Sequence, residues 1–65
     1  MTLIINGEAQ DVSAPSLAHL LDVLELADTV VATAVNGRFV RLADRPATSL
    51  NEGDKIEILA PMQGG

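Results

Sequence analysis

A single amphipathic helix stands among segments typical of β-strands, and this imbalance constrains the fold more than any other feature. Leucines recur at positions i, i+3, i+4 and i+7 of a helix predicted over residues 16–27: Leu17, Leu20, Leu21 and Leu24. Ser16 suits the N-cap, because its hydroxyl can accept a hydrogen bond from a free backbone N–H. One helix can cover only one face of a sheet, so the pattern predicts a two-layer α+β domain.

Two Asn-Gly pairs, Asn6-Gly7 and Asn36-Gly37, predict two β-hairpins. Both residue types tolerate the positive φ angles of a type I′ turn, which joins neighbouring antiparallel strands. The strands expected on either side of these turns are 2–5 with 8–13, and 31–35 with 38–42.

The last part of the chain predicts one further strand. Residues 43–49 lack a regular pattern and contain the break Arg45-Pro46, and residues 50–54 are typical of a turn. Residues 55–60 alternate, with Ile56, Ile58 and Ala60 on one face and Lys55, Glu57 and Leu59 on the other. Two hairpins, a helix across them and a late strand that closes a mixed sheet make the β-grasp plan, here one domain over residues 1–65.

Composition excludes several classes of function. The 65 residues include no Cys, which excludes disulfides, thiol catalysis and a Cys-based zinc site. The formal net charge is −5 and no cluster of Lys and Arg exists, which argues against nucleic acid as a partner. No run approaches the roughly 20 apolar residues of a membrane span, and residues 1–6 do not resemble a signal peptide. The expected compartment is the cytoplasm.

The sequence contains few residues that could form a catalytic site with their side chains. His19 is the only histidine and lies on the predicted wet face of the helix, with Asp22 three residues later. A solvated helix residue explains it better than an acid–base pair or a metal ligand, because one His cannot build a metal shell. Ser13, Ser16 and Ser49 fit caps and turns. We therefore expect no metal site and no stably bound cofactor.

The C-terminal pair Gly64-Gly65 is the remaining candidate for chemistry. Glycine has no Cβ, so such a tail can thread a narrow channel and leaves the terminal carboxylate unhindered. A carboxylate is a poor electrophile and needs activation by another protein, for instance by adenylation. A frayed tail that ends in two glycines by chance is the plain alternative.

Over essentially its whole length the chain resembles the ThiS family, sulfur carriers of thiamine biosynthesis with a ubiquitin-like β-grasp fold. The residues that carry the resemblance are 5–8, the helix 17–24, Ala34-Val35-Asn36-Gly37 with Val40-Arg41, the stretch 50–58, and the tail Pro61-Met62-Gln63-Gly64-Gly65. The irregular stretch 42–46 departs from the usual family pattern.

The resemblance implies a role for the last residue. In that family an E1-like adenylyltransferase, ThiF, uses ATP to adenylate the terminal glycine carboxylate, which then becomes a thiocarboxylate. The sulfur comes ultimately from cysteine through a cysteine desulfurase, and thiazole synthase, ThiG, consumes it. By this resemblance Gly65 carries the sulfur, and Gly64, which has no side chain, lets the chain end enter a narrow active site. The protein is then a cosubstrate and not an enzyme.

Other functions fit the same fold and the same Gly-Gly tail. The small subunit of molybdopterin synthase, MoaD, shares the fold, tail and chemistry, as do other thiocarboxylate carriers. A ubiquitin-like modifier would use the same tail and activation to form an isopeptide bond. A plain β-grasp interaction module would not need its last glycine.

Two further expectations concern how partners reach the tail. Residues 61–65 are expected to be flexible and to protrude, because they offer little apolar area to offset their ordering entropy. The hairpin register predicts that Ala34 and Phe39 point away from the helix, and the alternation of the last strand predicts the same for Leu59. With Met62 and Gln63 these residues form the predicted partner surface, and Glu57 and Asp54 would suit a basic rim on the activating enzyme.

Overall fold

The structure of the protein, a computed structural model, describes residues 1–60. Within this range the elements follow the order ββαββ, a 3₁₀ helix, then β. They are β1 (Thr2–Ile5), β2 (Glu8–Asp11), α1 (Leu17–Val23), β3 (Ala32–Val35), β4 (Arg38–Val40), the 3₁₀ helix (Leu42–Ala47) and β5 (Lys55–Leu59).

The described strands form one sheet in the order β2-β1-β5-β3-β4. The last strand therefore lies at the centre, where it pairs parallel with β1 and antiparallel with β3. Both hairpins are antiparallel, so the sheet is mixed. This arrangement, with α1 packed on one face, confirms the predicted α+β β-grasp fold.

Both Asn-Gly turns form as predicted. The φ angles are +50° at Asn6 and +84° at Gly7, and +51° at Asn36 and +84° at Gly37, as a type I′ turn requires. The register of the second hairpin is also as predicted: Val35 pairs with Arg38, Ala34 with Phe39 and Thr33 with Val40.

The core lies between α1 and the inner face of the sheet. Helix residues spaced three and four apart meet alternate residues of the strands, because a helix and a strand each present one apolar side at these periods. The fully buried apolar side chains of the core are Leu3, Leu17, Leu20 and Ile56. Ile5, Leu21, Val40, Leu50 and Ile58 complete this cluster with Ala14.

The helix is shorter than predicted, because it ends at Val23 and not near Ala27. Glu25 takes the left-handed conformation with φ +62°. The N–H of Leu26 donates to the carbonyl of Leu21 (2.7 Å) and the N–H of Glu25 donates to that of Asp22 (3.0 Å), which is the Schellman ending. Glycine is the usual residue at this position, so Glu25 gave no stop signal in the sequence.

The stretch predicted to be irregular contains the 3₁₀ helix, and this is a correction. Its anchor is Arg45, which is only 7% exposed. The Arg45 guanidinium donates from Nε to Oγ1 of Thr33 (3.1 Å) and from Nη2 to the carbonyl of Val31 (2.7 Å). The Thr33 hydroxyl donates in turn to the carbonyl of Val40 (2.8 Å). Arg45 thus ties the segment to the buried side of β3.

Four strand bounds also differ from prediction, and the first is the start of β3 at Ala32 instead of Val31. β2 ends at Asp11 and not at Ser13, and β4 ends at Val40 and not at Leu42. Ala60 lies beyond β5 and is exposed, so it does not continue the buried face of Ile56 and Ile58.

Candidate functional site

The candidate site is the end of β5, from which the chain continues to the Gly-Gly pair. β5 ends at Leu59, and Ala60 is the last described residue. Met62, Gln63, Gly64 and Gly65 lie outside the described residues. Their proposed roles, and the expected flexibility of residues 61–65, therefore stay predictions.

Both turn asparagines bind the backbone of β5 with their side chains. Asn6 accepts from the N–H of Ile58 at Oδ1 (2.8 Å) and donates from Nδ2 to the carbonyl of Ile58 (3.1 Å). At the other end of β5, Asn36 accepts from the N–H of Lys55 at Oδ1 (2.9 Å) and donates from Nδ2 to Oδ1 of Asp54 (3.0 Å). The last strand is therefore held at its start from the β3 side and at its end from the β1 side.

The sequence does not show this function of the asparagines, because the positive φ of a type I′ turn already explains Asn at both positions. The one available signal was the repeated choice of Asn at the first turn position. Glycine or Asp also fits that position, but only Asn offers both a carbonyl acceptor and an N–H₂ donor.

An apolar patch covers the outer face of the sheet beside the end of β5. Phe39 is 69% exposed and Leu59 is 63% exposed. Ala34 lies directly opposite Phe39 on one side and Glu57 on the other, and Ala32 lies opposite Leu59. We call Ala32, Ala34, Phe39 and Leu59 the outer patch. The predicted outward orientation of Phe39 and Leu59 is confirmed, whereas their contact with a partner stays a prediction.

The two acidic residues expected beside this patch are placed differently. Glu57 is exposed within it, on the same strand as Leu59 and opposite Ala34. Asp54 precedes the start of β5, about 16 Å along the strand from Leu59 at roughly 3.3 Å per residue. Its carboxylate accepts from the N–H of Asn51 (2.8 Å) as well as from Asn36, so it serves the turn before β5. Of these two residues only Glu57 lies within the outer patch, and the contact of either with a basic rim stays a prediction.

Ser16 and Ser49 serve local structure. Ser16 caps α1 by accepting from the N–H of His19 (3.2 Å), as predicted, and His19 is exposed. Ser49 forms an isolated bridge with Ser16. Among residues 1–60, no group of three or more His, Asp and Glu side chains could hold a metal ion. None of the helices in this range is long and apolar enough to cross a membrane.

A small mixed sheet with the last strand at its centre, one helix across one face and a glycine-rich end defines a ubiquitin-like β-grasp protein. The sequence matches the model of the ThiS family over residues 3–65. The chain belongs to the ThiS family.

Solved structures agree with this assignment. The crystal structure of a thiamine biosynthesis protein, ThiS, from Geobacter metallireducens is 33% identical, with all of both chains covered and a TM-score of 0.83. An NMR solution structure of a thiamine biosynthesis protein from the same organism is 30% identical, with 100% of this chain and 88% of the other covered and a TM-score of 0.80. No curated protein sequence matches the chain.

Proposed function

We propose that this protein is the sulfur carrier of thiamine biosynthesis and that its Gly65 carboxylate carries the sulfur. The observation that carries the proposal is the extent of the family match, which runs through the tail to residue 65. The thiamine biosynthesis protein from Geobacter metallireducens supports the pathway, since it aligns over the whole of both chains.

The proposed chemistry takes place on the tail and is performed by partners. An E1-like adenylyltransferase (ThiF) joins the Gly65 carboxylate to the α-phosphate of ATP and releases pyrophosphate. The mixed anhydride is a good electrophile, so a persulfide that a desulfurase forms from cysteine attacks it and displaces AMP. A thiol then reduces the S–S bond of the resulting acyl disulfide and leaves a thiocarboxylate. Thiazole synthase (ThiG) then takes the sulfur. The carrier is a cosubstrate in the cytoplasm and holds no cofactor of its own.

The body of the domain supports this role through docking. The outer patch lies on the face of the sheet away from α1 and next to the end of β5. A partner that covers Phe39 and Leu59 would remove apolar surface from water, which is the main source of affinity in such contacts. Met62 and Gln63 would extend this contact along the tail toward the active site of the enzyme.

The test is intact-mass analysis after incubation with the activating enzyme, ATP and a cysteine-derived sulfur source. We expect the mass gain of sulfur replacing oxygen, and its loss when thiazole synthase and its substrates are added. Conjugates on a denaturing gel would instead indicate a protein modifier. Consumption only by the large subunit of molybdopterin synthase would assign the MoaD branch, and no modification at all would indicate a plain interaction module.

Two variants test whether the Gly65 carboxylate is the group that is adenylated. One lacks Gly65, and the other has a residue added after it. Both leave residues 1–60 unchanged, so we expect normal unfolding curves and no adenylation. His19→Ala is the control, because this exposed side chain lies on the helix away from the outer patch. Adenylation of the truncated chain at the rate of the full chain would contradict the assignment of Gly65.

A further inference from the structure

The backbone of β1 stops pairing with β5 at Asn6, although β5 continues. The N–H of Ile4 donates to the carbonyl of Asp54 and the N–H of Asn6 donates to that of Ile56, each at 2.9 Å. The next ladder step would engage Ile58, but the chain turns away at Asn6 with φ +50°. The strand that leads to the tail would lose its β1 neighbour at this step.

The Asn6 carboxamide replaces the missing step. Its Oδ1 accepts from the N–H of Ile58 and its Nδ2 donates to the carbonyl of the same residue, so one carboxamide makes the two bonds that two successive peptide groups of a longer β1 would make. On the opposite side, Thr33 and Ala32 of β3 pair with Ile58 and Leu59. With Asn6 in place, β5 is held on both sides to within one residue of its end.

We propose that Asn6 is a positioning residue for adenylation, because it fixes the direction in which the chain leaves the sheet at Leu59 and Ala60. This inference rests on the proposed function, in which Gly65 must enter the active site of a partner docked on the outer patch. A bound geometry that shifts by about 1 Å can reduce a rate by as much as a hundredfold. Loss of the Asn6 contacts leaves Phe39 and Ala34 in place, so docking would persist while delivery of the carboxylate would fail.

The molecule supplies a matched control in Asn36. It occupies the same turn position, with φ +51°, and makes two side-chain hydrogen bonds to the start of β5 at Lys55 and Asp54. Asn6→Gly and Asn36→Gly both keep a turn sequence that tolerates positive φ. Each removes two side-chain hydrogen bonds, so similar losses of stability are expected, at opposite ends of the same strand.

Amide hydrogen exchange tests the contact itself. Asn6→Gly should raise the exchange rate of the Ile58 N–H relative to that of Lys55 by about tenfold or more, and Asn36→Gly should do the reverse. An unchanged ratio in Asn6→Gly would overturn the proposal. This measurement does not depend on the activating enzyme.

Adenylation kinetics with the ThiF-type enzyme test the positioning role. Asn6→Gly should lower kcat by about tenfold or more with KM near that of the wild type, whereas Asn36→Gly should leave kcat near the wild-type value. Equal kcat for the two variants, at a temperature where both are folded, would overturn the positioning role. Adenylation absent from the wild type would refute the proposed function instead, and the exchange ratio alone would then decide the contact.

Asn6→Asp replaces Asn6→Gly if the glycine variant does not fold, with Asn36→Gly kept as the control. Asp tolerates the same backbone conformation, but its second carboxylate oxygen takes the place of the Nδ2 donor and faces the carbonyl of Ile58. Because the acceptor for the Ile58 N–H is kept, the exchange ratio does not apply to this variant, and kcat decides the positioning role: a value equal to that of Asn36→Gly would overturn it.

Discussion

Phe39→Ser separates a docking residue from a structural one, and the exposure of Phe39 sets the expected size of each effect. A phenylalanine side chain can bury about 150–250 Å². At 69% exposure, about 100–170 Å² remains for a partner to cover, worth at most ~2.5–4 kcal/mol at about 25 cal/mol per Å². The remaining third, already buried in the fold, contributes about 1–2 kcal/mol to stability by the same measure.

Phe39→Ser should therefore weaken binding to the activating enzyme by at least about tenfold, since ordering costs consume part of the area term. The free energy of unfolding should fall by only about 1–2 kcal/mol. Isothermal titration calorimetry with the enzyme gives the first quantity, and urea unfolding gives the second. Leu59→Ser should behave similarly, because Leu59 is 63% exposed.

Val23→Ser is the matched control for this pair. Val23 is 49% exposed and lies at the end of α1, on the layer opposite the outer patch. It should leave the affinity unchanged. If Phe39→Ser and Leu59→Ser both keep the wild-type affinity, or if Val23→Ser loses as much as they do, the outer patch is not the docking surface. If either patch variant unfolds the domain, the division between inner and outer faces is at fault.

Three other substitutions test the rest of the fold. Arg45→Met should lower the free energy of unfolding by about 2 kcal/mol in urea titrations, because the carbonyl of Val31 loses a charged donor; an unchanged midpoint would refute the anchor role. Glu25→Gly should raise the thermal midpoint, with a gain of about 0.5 kcal/mol from relief of the left-handed conformation; a lower midpoint would contradict this. His19→Ala should change stability by less than about 0.5 kcal/mol and leave the adenylation rate unchanged, and a slower rate in the folded variant would assign His19 a role.

The features that follow from local rules were predictable from the sequence. The Asn-Gly turns set the hairpin register, and the leucine spacing set the buried face of α1. The hairpin register was sufficient to assign Phe39 to the outer face, and the alternation of residues 55–60 assigned Leu59 to it, because side chains alternate strictly along a strand. The mixed character of the sheet followed from the β-grasp plan and not from any single residue, whereas the parallel pairing of β1 with β5 was not predicted.

The features that depend on distant partners were not predictable. The pair Arg45-Pro46 predicts only a break in the chain. The sequence does not show that the Arg45 guanidinium reaches Thr33 and the carbonyl of Val31. The Asn6 carboxamide binds a residue 52 positions away. The end of α1 at Val23 depends on the left-handed conformation of Glu25. Glycine or asparagine at this position would have predicted the helix end, but glutamate does not.

The central position of β5 also determines how the domain bears mechanical load. An enzyme that draws the chain into its active site pulls on Ala60, and the force passes to a strand flanked by β1 and β3. An edge strand would peel away one hydrogen bond at a time, but β5 can leave only if both hairpins lose their common neighbour. Opening at this point therefore costs nearly as much as unfolding the whole domain. Under the proposed function, a partner could therefore pull on the end of the chain without loosening the outer patch.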